Sequence, residues 1–219
     1  MYFKKLALLL SMQFIALPVF AAPGPKEALS SLKEGNRRYL EGVSKHPRID
    51  PLRRLKTAKE GQAPIASVLS CADARVPVEL VFDKGFGDVF VVRVAGNVCA
   101  MAELASLEYG ALYLHTPLIV VLGHSKCGAV KAAIEGGADL KGSLPLLMEE
   151  IHPAVEAARR KHKDQKGQEF ENAVIEENVR LSKQEILKSP GIAQAVKDGK
   201  VLLIGAIRDL KTGAVRWLD

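Results

Sequence analysis

No segment of this chain is repeated, none is of low complexity, and none reads as an interdomain linker, which argues against solenoids and multidomain arrays. Charge of one sign is not concentrated either. The 31 Lys and Arg are spread among 25 Asp and Glu, as on a solvated surface, so nucleic acid is not an expected partner. Cysteine is sparse: Cys71, Cys99 and Cys127 are all there are, an odd number that cannot form a disulfide framework. Beyond the first twenty residues no apolar run is long enough to cross a membrane. What remains is a 219-residue chain, 48% hydrophobic and 26% charged, the balance of one folded domain with a sizeable core.

The opening segment, MYFKKLALLLSMQFIALPVFAAPGP, reads as a secretory signal. Lys4 and Lys5 form a basic start, Leu6 to Phe20 an apolar stretch, and Val19-Phe20-Ala21 a small-x-small cleavage site. An uncleaved anchor is the alternative, but Gln13 and Pro18 interrupt the run. Residues 1–21 are therefore expected to be removed, leaving 22–219 as a single domain that is periplasmic or secreted, with no stable membrane association. In an oxidising compartment a Cys71–Cys127 disulfide is the simplest fate for two thiols. Metal binding would hold the same sulfurs as thiolates.

Helical spacing over Lys26 to Leu40, with Pro25 in the first turn, predicts an amino-terminal helix. Short apolar runs predict strands at 64–70, 88–94, 117–122 and 201–207, followed by a short hairpin through Thr212-Gly213 to Ala214–Trp217. Helical patterns fall at 97–114, 125–134, 144–162 and 170–187. The predicted class is α/β: a mainly parallel sheet of four strands, with a short antiparallel edge strand, flanked by helices. Sites in such sheets form at the carboxyl edge. There the first strand runs into Cys71 and the third into Gly123-His124-Ser125-Lys126-Cys127, so the two loops are predicted to meet.

Cys71-x-Asp73-x-Arg75 and His124-x-x-Cys127 carry the chemistry. Two thiolates and an imidazole suit zinc, and three protein ligands leave a fourth position for water, as in catalytic sites. A core histidine beside a buried thiol, a structural metal and a thiol redox pair are the competing readings.

Residues 61–97, GQAPIASVLSCADARVPVELVFDKGFGDVFVVRVAGN, and 108–128, EYGALYLHTPLIVVLGHSKCG, resemble the β-class carbonic anhydrases. The resemblance implies that fold, one zinc ion on Cys71, His124 and Cys127, and reversible hydration of carbon dioxide to bicarbonate and a proton by a zinc-bound hydroxide. It implies that Asp73 either accepts a hydrogen bond from the zinc water or closes the site by ligating the metal, with Arg75 holding it off. It assigns Gln62, Phe90, Ala95, Tyr109 and Gly128 to the substrate pocket, although Phe90 and Ala95 read equally well as core. Val68, where relatives controlled by bicarbonate tend to carry Trp, favours an open site. A homodimer or a tetramer of dimers is implied, with an amino-terminal arm at 22–45 embracing the neighbour. Hydrolysis of carbon disulfide or carbonyl sulfide by the same fold stays open. Cys99 reads as a structural thiol, and His115, His152 and His162 have no assigned role.

Overall fold

The computed structural model describes residues 22–137 and 140–218; the predicted signal at 1–21 lies outside them. Among the described residues five strands are present: β1 Ala66–Cys71, β2 Val89–Val94, β3 Leu118–His124, β4 Leu202–Arg208 and β5 Val215–Leu218. They stand in the order β2-β1-β3-β4-β5. The first four are parallel and β5 is antiparallel to β4, as the alternation of apolar runs and helical patterns predicts.

Among the described residues there are eight α-helices: α1 Pro25–Leu40, α2 Pro51–Glu60, α3 Val78–Val81, α4 Met101–Glu108, α5 Gly128–Ile134, α6 Leu144–Lys161, α7 Gly167–Ile186 and α8 Pro190–Lys197. Every residue of β1 and β3 is buried, so these strands are predominantly apolar. Val68, Leu118, Val120 and Leu122 face a core shared with Ala28 and Leu32 of α1 and Val78 and Val81 of α3. Leu69, Ile119 and Val121, on the opposite face, pack with Leu107 of α4, Val179 and Ile186 of α7 and Ile192 of α8. The strand period of two thus sorts the core into two layers.

Several boundaries differ from the sequence reading. Helices α2, α3 and α8 were not predicted, yet Asp50-Pro51 and Ser189-Pro190 begin α2 and α8 with a capping side chain and a first-turn proline. The helix predicted from 97 starts at Met101, because Gly96 and Asn97 have φ of 75° and 45° in a tight turn over Ala95–Asn97. The helix predicted from Ser125 starts at Gly128, with Cys127 as its N-cap. The buried face of α1, formed by Ala28, Leu32, Gly35 and Asn36, is turned onto its own chain. Asn36 Nδ2 donates to the carbonyls of Val81 and Gly213, and its Oδ1 accepts from Val215 N, tying α1 to both ends of the fold.

Two expectations follow. A Cβ at Gly35 would lie 1.8 Å from the Phe82 carbonyl oxygen, so Gly35→Ala forces α1 off the sheet; a loss of about 1–3 kcal/mol is expected in urea denaturation. The second concerns Asp83, which is buried and accepts from Arg38 Nε at 2.6 Å and from the amides of Lys45 and His46. Burial alone would raise its pKa, but these donors outweigh it and lower the pKa. The unfolded chain then binds this proton more tightly. The stabilisation is complete above about pH 4 and is lost as the pH falls below it. Asp83→Asn should cost about 1–3 kcal/mol at neutral pH and flatten the acid limb of the stability curve.

Candidate metal centre

The central strands β1 and β3 pair in parallel from Ser67↔Ile119 to Ser70↔Leu122. The chain leaves β1 towards β2 on one side and leaves β3 towards β4 on the other. This is the topological switch point of the sheet, where the carboxyl ends of strands open a crevice. Cys71 is the last residue of β1 and His124 the last of β3. Cys127, three residues on, is the N-cap of α5. The predicted meeting of the two loops is thus a consequence of strand order.

One ligand atom from each of Cys71, His124 and Cys127 lies within 4.8 Å of the other two, and all three residues are buried. The three cysteines are free thiols, so no disulfide joins Cys71 to Cys127. His124 is fully buried. Its Nδ1 is 2.9 Å from the Ser125 carbonyl oxygen, which makes Nδ1 the protonated nitrogen and leaves the Nε2 lone pair pointing into the cluster. Nε2 has no hydrogen-bond partner, a costly state for a buried polar atom.

The proton affinities agree with that geometry. The nearby Cys127 sulfur, with His124 and the Gly96 amide 3.3 Å from the Cys71 sulfur, pulls the Cys71 thiol down against the effect of burial. Cys127 is pushed up by its closeness to the Cys71 sulfur and by burial. Burial opposes protonation of His124, yet the neighbouring Cys71 sulfur and the Asp73 carboxylate raise its pKa. Two sulfurs this close cannot both ionise unless a cation joins them. The cluster is short of positive charge, and a soft-donor set of two sulfurs and one imidazole fits zinc.

Asp73 stands beside the cluster, its Oδ2 3.8 Å from His124 Nε2. Arg75 holds the carboxylate with both arms: Nε donates to Oδ1 at 2.9 Å and Nη2 to Oδ2 at 2.7 Å, and the Arg75 amide adds a third bond to Oδ1. This grip keeps the Asp73 carboxyl well below the usual carboxylate range. Arg75 Nη2 also reaches the carbonyl of Lys126 at 3.3 Å, bridging the two ligand loops. Lys126 has φ of 53°, the left-handed conformation that turns the chain from β3 into α5.

The predicted pocket residues divide. Ala95 is brought in by the turn whose next amide, Gly96, meets Cys71. Gly128 opens α5, and a Cβ there would meet nothing within 4 Å, so space is open beside it. Phe90, Tyr109 and Gln62 are not brought to the cluster. Phe90 pairs with Ser67, four residues before Cys71, about 13 Å down the strand. Its ring packs on Tyr109 at 6.0 Å, and Tyr109 packs on Tyr113, both exposed. Gln62 precedes β1 and is exposed. These three mark the amino edge of the sheet.

The sequence reading missed several supporting residues. Arg93 at the end of β2 donates to the carbonyls of Cys71 and Asp73 at 3.1 and 2.7 Å. Asn178 and Ser182 of α7 donate to the carbonyls of Gly96 and Asn97 at 2.6 and 3.1 Å. Gly96 itself has no room for a side chain, since a Cβ would lie 2.7 Å from Ile151. Arg93 interrupts an apolar strand and Asn178 an apolar helix face; those interruptions were the available signals.

Comparison with known proteins agrees with this geometry. The family described as carbonic anhydrase matches residues 66–215. Carbonic anhydrase 2 of Mycobacterium tuberculosis is 39% identical over 194 residues, covering 86% of this chain and 90% of that one. Among solved structures, the Coccomyxa β-carbonic anhydrase in complex with acetazolamide superposes with a TM-score of 0.70 at 26% identity, covering 87% and 86% of the two chains. A tetrameric β-carbonic anhydrase from Sordaria macrospora gives 0.68 at 26% identity, covering 87% and 94%. A matched profile spanning most of the chain, a shared fold and a Cys-His-Cys cluster at the switch point lead to one conclusion: the chain belongs to the β-class carbonic anhydrases.

Proposed function

We propose that this protein is a zinc-dependent enzyme for the reversible hydration of carbon dioxide to bicarbonate and a proton, working from an open metal site. One observation carries the proposal: three buried donors, two of them sulfurs that cannot ionise together, converge around an orphaned imidazole nitrogen. Cys71, His124 and Cys127 would hold the ion. Zinc bound there supplies the Lewis acidity that makes water nucleophilic near neutral pH.

The chain's own groups do the rest. Asp73 is ionised across the neutral range because Arg75 grips it, so it can accept a hydrogen bond from the attacking water and aim its lone pair. Held in both arms of Arg75, the carboxylate is drawn away from the donors and cannot easily ligate. Its lowered pKa makes it a weak base, so the released proton is expected to pass to solvent. Ala95 and the open space at Gly128 leave a small slot suited to an apolar gas. Val68, buried in β1, fills the position of the bulky residue implied for bicarbonate-controlled relatives and supports the open reading.

Gln62, Phe90 and Tyr109 can line a substrate pocket only if another copy supplies them. Their placement supports a homodimer or a tetramer of dimers, and the tetrameric Sordaria relatives lend weight to that reading. The basic start, apolar stretch and small-x-small site of residues 1–21 support export, with removal of that segment and a periplasmic or secreted enzyme.

Purified full-length protein should hold about one zinc per chain. Chelation should abolish hydration in a stopped-flow assay, and added zinc should restore it. Activity should rise through about pH 7, where water on zinc becomes acidic; undiminished turnover of metal-free protein would end the proposal. Asp73→Asn and Arg75→Ala should each lower kcat/KM by about 10–100-fold while the zinc content is retained. Wild-type rates in both variants would remove the role given to the pair.

A further inference from the structure

Arg208 closes β4 in register with His124. It is 5% exposed, yet no carboxylate pairs with it among the described residues. Its Nη1 donates to the carbonyl of Arg75, its Nη2 to the Tyr39 hydroxyl of α1 at 3.0 Å, and its Nε has no partner. The guanidinium also lies over the Tyr39 ring, 5.7 Å from its centroid, which recovers part of the desolvation cost. A buried cation bonded only to neutral oxygens is costly to keep. Its position gives the cost a use. The backbone carbonyl of Arg208 accepts from Ser125 N at 2.9 Å, in the loop that carries His124 and Cys127. Its side chain grasps the loop that carries Cys71 and Asp73. One residue therefore ties both ligand loops together and ties them to α1.

We propose that Arg208 is a positioning residue for the metal centre: it pins the backbone at Arg75, from which the Arg75 guanidinium holds the Asp73 carboxylate off the metal and keeps the site open. The inference rests on the zinc reading above. Arg93 holds the carbonyls of residues 71 and 73 from the β2 side, and Arg208 holds that of residue 75 from the β4 side. The turn is fixed from both flanks. Without Arg208, the Arg75 backbone can relax and its grip on Asp73 loosens. Asp73 Oδ2, already 3.8 Å from His124 Nε2, is then the nearest carboxylate oxygen to the metal position.

Cobalt-loaded full-length protein provides a test independent of turnover. Wild type, Arg208→Met, Arg208→Lys and Arg208→Met/Asp73→Asn are compared by metal content, visible cobalt absorption and affinity for azide, a small anion that needs the open position. Arg208→Met should retain the metal but show an altered cobalt spectrum and bind azide at least about tenfold more weakly. Arg208→Lys, which keeps the charge but cannot span both acceptors, should fall between. Removing the carboxylate in the double variant should restore the wild-type spectrum and azide affinity. Unchanged spectra and azide binding in Arg208→Met, or an altered site that Asp73→Asn does not restore, overturns the proposal; the latter would mean simple damage to the fold. If Arg208→Met does not fold, Arg208→Lys with and without Asp73→Asn gives the same comparison. A wild-type chain that takes up no cobalt or zinc would sink the metal reading itself, and this inference with it.

Discussion

Everything at the metal centre depends on β1 and β3 lying side by side with their carboxyl ends level. Four ladder pairs, from Ser67↔Ile119 to Ser70↔Leu122, bring Cys71 and His124 to one edge, and the left-handed Lys126 brings Cys127 back towards them. Both strands are buried throughout, so a slip of one residue would turn a whole apolar set to the wrong core layer. Core packing on both faces of the sheet therefore sets the positions of three ligand atoms to which the core residues make no direct contribution.

The electrostatics around that edge are layered. Two sulfurs and one carboxylate face inward, and Arg75, Arg93 and Arg208 hold the loop that bears two of these three groups. None of the arginines points at the ligand atoms. They bond to main-chain carbonyls, to the Asp73 carboxylate and to the Tyr39 hydroxyl, leaving the Cys71, His124 and Cys127 donor atoms to a cation. The negative groups are thus positioned by positive ones that do not displace the metal, an arrangement seen around metal sites where outer hydrogen bonds orient the ligands.

Much of this was legible in the sequence because it is local. The strands are predominantly apolar runs, and the ligands stand where two of those runs stop. Asp50-Pro51 and Ser189-Pro190 were equally local signals for α2 and α8, but without a strong apolar period behind them they passed as loop; α2 buries none of its residues. The turn at Gly96-Asn97 was hidden because its positive φ values answer to Ile151 and α7, elements far along the chain. Phe90, Tyr109 and Gln62 illustrate a different limit. Motif resemblance groups residues by shared use, without saying whether one copy of the chain can bring them together. Arg208 was not legible at all, since an arginine at the end of a strand reads as a solvated surface residue until Tyr39 is seen beneath it.

Burial of the cysteines has a consequence for the order of events in the life of the molecule. In the unfolded chain Cys71, Cys99 and Cys127 are equivalent thiols that can be joined in any of three pairs, each a dead end for a metal ligand set. After folding, two are sealed at the sheet edge at 4% and 1% exposure, and Cys99 is buried in the other core layer, where desolvation first, and then the nearby Glu103, push its thiol up to about 12. Oxidants attack thiolates that they can reach, so the interior shelters what the extended chain leaves open. In an oxidising compartment, such as the one proposed for this protein, the sheet would have to close before its sulfurs were oxidised.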